Sequence, residues 1–327
     1  MKSKTIFSIL LFLNLMFTGF SYSQEYQRVD DIINTYPDSF SSLNKFAEKI
    51  SADFTDDIDK TRAIFTWMAL HIKYDLKLYN SIKENNTVAF SYTSEEDKLL
   101  KLQKFRYDLA NKTLKTKKGV CENYTALFQT LCELMNIKCM AITGSSKTHP
   151  EDIGKLPKAS DHVWNAVKIE NSWRLVDVTW AAGHVNNQTG KFVPVFNDSY
   201  FFTNPEVFFL NHFPDDKRMT MLPKSEEDFA KLPLYYPEYL KSGYEIVMPQ
   251  DGIVSLTESN AISFKIIDLL PNQKVYYVFS NDNIPKQAVV GNYGNLSEFE
   301  IPISKKNYGY VTIYINTKSI ASYKIVR

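Results

Sequence analysis

The chain has 327 residues, and 38 basic side chains against 37 acidic ones leave a formal charge of +1. With no basic block in the sequence, that balance argues against nucleic acid as the partner. About 300 residues follow the N-terminal segment described next, more than one hydrophobic core usually holds, so two domains are expected.

Lys2 and Lys4 precede an apolar run from Ile6 to Phe20, which ends in Ser21-Tyr22-Ser23 before Gln24. This is the pattern of a secretory signal peptide spanning residues 1–23, so a secreted or periplasmic protein is expected. The run falls short of the ~20 residues of a comfortable membrane span, and the alternative reading is a single uncleaved anchor. No comparable apolar stretch follows, so no stable membrane insertion is expected after cleavage. No cysteine follows the run, which argues against a lipid-anchored product.

From Asp30 to Asp75 the pattern is helical. Its clearest piece starts with Thr55 as N-cap and Asp56 and Asp57 in the first turn, followed by Ile58, Phe65, Met68 and Ile72 at helical spacing. Leu78 to Thr93 reads as a loop. Ser94 with Asp97 forms a capping-box pattern for a helix to about Leu114, with Leu99, Leu102, Phe105 and Leu109 as its expected buried stripe. At Gly119 the character changes. A helix over Cys121–Met135 places Tyr124, Leu127, Phe128, Leu131, Cys132 and Met135 on one face, and Cys139–Thr143 begins a set of strands. The prolines Pro223, Pro233 and Pro237 interrupt any regular pattern, so residues 223–243 are expected to link a unit over 24–222 to one over 244–327. The second unit shows only strands: Ile246–Met248, Ile253–Thr257, Ala261–Ile267, Lys274–Phe279, Gln287–Val290, Phe299–Ile303, Tyr310–Ile315 and Ser322–Val326. Their short, regular spacing is that of a β-sandwich.

A thiol becomes a nucleophile only as thiolate, and oriented N–H groups at a helix start favour that form. Cys121 holds such a position, with Gly119 before it to permit a tight entry and Lys117 and Lys118 adding positive charge. Alone, the position also suits a small buried residue. The other two cysteines, Cys132 and Cys139, read as core packing, with a mutual disulfide as the alternative. An odd number of cysteines in an oxidising compartment leaves at least one free.

His162 to Ile169 and Trp173 to Trp180 read as two strands in hairpin order. If Glu170-Asn171 is the two-residue turn, Ile169 pairs with Ser172 and Trp164 lies opposite Asp177. His162 is then diagonal to Asp177 on the same face, about 7–8 Å away at the backbone. Asn171 is the turn residue expected to take positive φ. In that register Asp177 can hold the His162 imidazole while its other nitrogen faces the Cys121 sulfur, the arrangement of a nucleophile, base and orienting acid. Taken singly, His162 also reads as a satisfied strand-end histidine and Asp177 as a sheet-edge polar residue. A Cys–His–Asp zinc site is disfavoured, because no fourth ligand lies nearby and no Cys-x-x-Cys spacing occurs; neither metal nor cofactor is expected.

Three blocks resemble the transglutaminase-like superfamily: Gly119-Val-Cys121-Glu-Asn-Tyr, His162-Val-Trp-Asn165, and Trp173 to Trp180 with Asp177 inside it. The segments Trp67 to Asp75, Tyr200 to Pro205 and His212-Phe-Pro214 further resemble the kyphoscoliosis peptidase-like branch. Met219-Thr-Met221 departs from that branch, which often carries a Trp-Gln block there. The resemblance covers about Thr55 to Pro223. It implies an α+β fold with a papain-like core, in which a helix carrying the cysteine packs on an antiparallel sheet, followed here by the C-terminal sandwich. It implies Cys121, His162 and Asp177 as catalytic residues of an exported thiol enzyme acting on peptide or protein substrates, including cell-surface or cell-wall material. It favours a peptidase or amidase over a crosslinking transglutaminase. The second oxyanion donor is open between Tyr74 and Gln103, the first being the Cys121 N–H. A binding or scaffold module that keeps the fold without turnover is the alternative. The sandwich serves either to position a partner or only as a packed appendage.

Overall fold

The computed structural model describes residues 26–85, 91–157, 160–186, 189–255 and 260–326. The expected signal segment 1–23 lies outside them. Among the described residues no helix is long and apolar enough to cross a membrane.

Side-chain caps start the helices of the first half. Ser42 accepts from the Lys45 N–H at 3.2 Å before Leu43–Asp53, and Ser94 accepts from the Asp97 N–H at 3.1 Å before Glu95–Thr116. The helix Asp57–His71 is capped by Asp56, which accepts from Ile58 N–H at 2.8 Å, and not by Thr55. A carboxylate competes better for the first N–H groups than a hydroxyl one position earlier. Part of the expected loop after Leu78 is helical, since Leu76–Asn85 continues as a helix.

The central helix is Cys121–Leu134, buried on nearly every side from Asn123 to Cys132. It packs against Leu43–Asp53, Asp57–His71 and a five-stranded antiparallel sheet. The strands of that sheet run in the spatial order Phe201–Thr203, Ser172–Val176, His162–Ile169, Cys139–Ser146, His212–Pro214. Trp67, Phe128, Leu131, Val167 and Val176 share the core between helices and sheet. On the other face Ile142, Trp164, Ala166, Leu175 and Phe208 form a smaller cluster, so the His162–Ile169 strand is covered from both sides.

The expected stripe on Glu95–Thr116 is not what the helix buries. Leu99 and Leu102 are exposed, and the buried residues are Ala110, Thr113 and Leu114. Phe105 and Leu109 are half-buried, so burial deepens toward the C-terminal end of this helix, and spacing located the helix but not where it is covered.

Residues 223–243, expected as a connector, carry the helices Glu226–Lys231 and Pro237–Ser242. Between them the strand Leu234–Tyr235 pairs with Ser322 and Ala321. Lys147, buried just after the strand Cys139–Ser146, donates to the carbonyls of Phe229 at 2.6 Å and Leu232 at 2.8 Å, which ties this segment to the first half. The unit beyond it is a two-sheet sandwich. One sheet is Glu245–Met248, Ala261–Ile267, Leu296–Pro302 and Gly291–Tyr293. The other runs Leu234–Tyr235, Lys318–Val326, Gly309–Ile315, Val275–Phe279 and Lys286–Gln287, with Ile253–Ser255 also on Lys318–Val326. The expected strand Gln287–Val290 is mostly a crossing between the sheets, and the edge strand Gly291–Tyr293 follows it.

Candidate active site

Cys121 is the first residue of its helix, where backbone N–H groups have no partner of their own in the helix. Asn123 shapes this entry. Its side-chain oxygen accepts from Val120 N–H at 3.0 Å, and its amide donates to Thr113 at 3.0 Å. Gly119 serves the same packing: a Cβ there would stand 2.2 Å from the Asn123 Cβ. Its φ is not in the left-handed region, so glycine is needed for room and not for an unusual backbone turn. Tyr74 pairs with Gly119 across a short parallel bridge, which brings the phenol to the thiol. Burial, and then the charges of Cys121, Tyr79, Asp177 and Asp161, push this phenol well above its ordinary pKa, so it remains a donor. Gln103, the other candidate donor, is exposed on the part of its helix that does not reach the core.

Cys121, Cys132 and Cys139 are free thiols. Cys132 is fully buried, and burial first, then Cys139, raises its pKa, so it behaves as a core residue.

The hairpin pairs Ile169 with Ser172 and Asn165 with Val176, which is the register with Glu170-Asn171 as the turn. Positive φ falls on Glu170 (54°) rather than on Asn171. The second strand ends at Val176. Asp177 then caps the short helix Val178–Ala181, because its carboxylate Oδ1 takes the Trp180 N–H at 3.0 Å. The other oxygen, Oδ2, meets His162 Nε2 at 2.6 Å, with both residues buried. His162 Nδ1 is left to face the thiol, and Cys121 helps to hold the imidazole charged.

Burial is the strongest single influence on His162 and works against its charge. It is outweighed by the charge and hydrogen bond of Asp177 and by Cys121, so the imidazole is pushed up to about 10. Burial works against the Asp177 carboxylate too, and His162 followed by His212 outweighs it, holding Asp177 below the ordinary carboxylate range.

His212 was not among the residues singled out for chemistry, although it lies in one of the matching blocks. Its Nε2 stands 3.0 Å from the same Asp177 Oδ2, from the strand at the far edge of the sheet. His162, Asp177 and His212 present their ligand atoms within 4.8 Å of one another. Two ligands of a tetrahedral zinc ion stand roughly 3.3 Å apart when each is about 2.0–2.1 Å from the metal. The 2.6 and 3.0 Å contacts are closer than that, so these groups are hydrogen-bonded directly to one another.

Residues 44–178 match the sequence profile of the transglutaminase-like superfamily. The mouse kyphoscoliosis peptidase is 30% identical over 224 residues, covering 68% of this chain and 31% of its own length. The human kyphoscoliosis peptidase is 29% identical over 241 residues, covering 73% of this chain and 33% of its own. The chain thus spans about a third of the length of these curated relatives. A solved TGase structure overlaps 58% of this chain and 40% of its own at 16% identity and a TM-score of 0.29, a superposition too loose to carry argument.

Proposed function

We propose that this chain, whose residues 44–178 form a domain of the transglutaminase-like superfamily related to the kyphoscoliosis peptidases, is a thiol enzyme acting on peptide or protein amides. The observation that carries the reading is the buried 2.6 Å contact between His162 and Asp177 beside a cysteine that begins a helix. In this scheme Asp177 holds the imidazolium, and His162 supplies the counter-charge for the Cys121 thiolate. The sulfur attacks the carbonyl carbon, and the oxyanion is met by the Cys121 N–H and the Tyr74 hydroxyl. His162 gives its proton to the leaving amine as the C–N bond breaks. It then takes a proton from water as the water oxygen attacks the thioester carbon, and breaking the C–S bond frees the acid and restores the thiolate–imidazolium pair. We favour water over an amine as the acceptor, in keeping with the peptidase names of the relatives. The same reading takes residues 1–23 as a cleaved export signal and places the enzyme outside the cytoplasm.

The test is alkylation of Cys121 by iodoacetamide at about pH 6. There a free thiol of ordinary pKa is only roughly 0.3% thiolate, and a thiolate–imidazolium pair reacts far faster. A Cys121 rate no higher than that of a free cysteine would leave a non-catalytic binding module as the reading. Incubating a peptide substrate with a labelled amine then separates hydrolysis from amine transfer by product mass.

A further inference from the structure

The thiol-enzyme reading uses one donor to Asp177, yet the structure places two imidazoles on the same carboxylate oxygen. We propose that His212 is a positioning residue of this site, which donates its Nε2 proton to Asp177 and so fixes the carboxylate that orients His162. The proposal rests on the thiol-enzyme reading and adds a residue to it.

Three donors converge on Asp177. Trp180 N–H occupies Oδ1 at 3.0 Å, and His162 and His212 share Oδ2 at 2.6 and 3.0 Å. With both oxygens held from different directions, the carboxylate cannot rotate about its Cβ–Cγ bond without losing a charge-assisted hydrogen bond. His212 is itself immobile. Its ring stacks on Phe208 with centroids 4.0 Å apart and lies 4.4 Å from Trp180 and 5.1 Å from Trp164. Its backbone pairs with Ser146 at the sheet edge. Next to it, the Asn211 amide donates to the carbonyls of Lys147 and Tyr235 at 3.2 and 3.0 Å. The residue is therefore a fixed strut between the sheet edge and the acid.

The two histidines are held in different protonation states. One buried carboxylate neutralises one imidazolium, and that one is His162. For His212 burial is the largest influence and favours the neutral ring, with the nearby His162 adding to it, while Asp177 opposes. The remaining nitrogen agrees. Nδ1 is buried and makes no hydrogen bond, so a proton there would lack a partner; the Phe208 carbonyl favours the charged ring and is outweighed by burial. A bare lone pair costs less there. The neutral Nε2–H tautomer orients Asp177 without bringing a second positive charge that would weaken its hold on His162, a division of roles set by environment.

Two measurements test this on the full chain. The ¹⁵N chemical shifts of His212 should report a neutral ring with its proton on Nε2 from about pH 6 to 9; a charged ring, or a proton on Nδ1, would overturn the proposal. The second compares His212→Phe, which keeps the stack but removes the donor, with His212→Gln, which carries an amide N–H the same number of bonds from Cβ. Loss of a hydrogen bond to a charged group predicts a drop of roughly ten- to a hundredfold in kcat and in Cys121 alkylation for His212→Phe, with KM little changed. His212→Gln should recover most of it. Parent-like rates in His212→Phe, or equal losses in two variants that both melt like the parent, would show that only ring packing matters. If the parent Cys121 alkylates no faster than a free thiol, the enzyme reading fails instead, and the tautomer measurement still decides whether His212 donates to Asp177.

Discussion

The strand His162–Ile169 in the first half and the strand Ala261–Ile267 in the second differ in what covers them. The first is buried on both faces, by the Cys121 helix on one side and by Trp164, Phe208 and their neighbours on the other. The second alternates strictly, one face in the sandwich core and one toward solvent. A half-buried strand places its polar residues in water at no cost. A strand covered twice must bury the polar groups it carries, and the first half buries His162, Asn165, Asp177 and His212 in hydrogen bonds while leaving Trp164 Nε1 and His212 Nδ1 without one; the sandwich buries few polar side chains, Ser297, Asn307 and Ser322 among them. Buried titratable groups held by hydrogen bonds are the material of a reactive site. The sandwich core is almost wholly apolar, and the first half gives up some of that simplicity for its buried polar groups.

That contrast is most sharply tested at the thiol. Cys121→Ala should abolish turnover while leaving the thermal melt near the parent's. Cys132→Ala should leave kcat intact and cost about 1–3 kcal/mol as a core truncation. Retained turnover in Cys121→Ala would end the thiol-enzyme reading. Next in size is Asp177→Asn, which keeps the shape but offers the imidazole a neutral partner. Turnover should fall by about two to four orders of magnitude, and kinetics equal to the parent's would remove Asp177 from the orienting role.

In the sandwich the expected loss is the reverse. Phe264 is 1% exposed, stacks on Phe299 at 5.0 Å and meets Tyr323 edge-on at 5.2 Å. Phe264→Ala should cost about 3–5 kcal/mol in denaturant unfolding, with kcat per folded molecule unchanged. A matching loss of kcat would mean that the two halves are energetically coupled.

A subtler comparison uses pH, because two buried bases bear on stability in opposite senses. His162 is raised to about 10 in the folded state, so its contribution is fully present below its ordinary 6.5 and is lost as pH rises toward 10. Lys147, at the seam between the halves, is lowered to about 7, chiefly by burial. Its contribution is present above its ordinary 10.5 and is lost as pH falls through 7. The stability difference between parent and His162→Gln should therefore shrink from pH 6 to pH 10, and that between parent and Lys147→Met should grow. Equal differences at the two pH values would contradict the assignment for that residue. The smallest effect concerns the hairpin turn. Glu170→Gly relieves a left-handed backbone at φ 54° and should stabilise by about 0.5–1 kcal/mol without changing kcat. A destabilised variant would show that the turn is not strained there.

Local patterns in the sequence were enough for the Cys121 helix, the first hairpin strand and the hairpin register, and the alternation that makes the sandwich, but not for the end of the second strand, where Val178–Ala181 turns helical. Each depends on neighbours within a few residues or on a single short turn, where spacing translates directly into geometry. The meeting of His162 with Asp177 belongs to this class, since one tight hairpin joins them. Contacts between distant elements were decided by tertiary structure alone. The stripe on Glu95–Thr116 has helical spacing, yet its first members Leu99 and Leu102 stay exposed, and the proline-bearing segment 223–243 folds because Lys147 and the Lys318–Val326 strand give its backbone groups partners. His212 reaches Asp177 only because the chain returns to the opposite edge of the sheet, 35 residues later. Its sequence neighbours carry no sign of that contact, because it is a hydrogen bond between groups that only the folded sheet brings together.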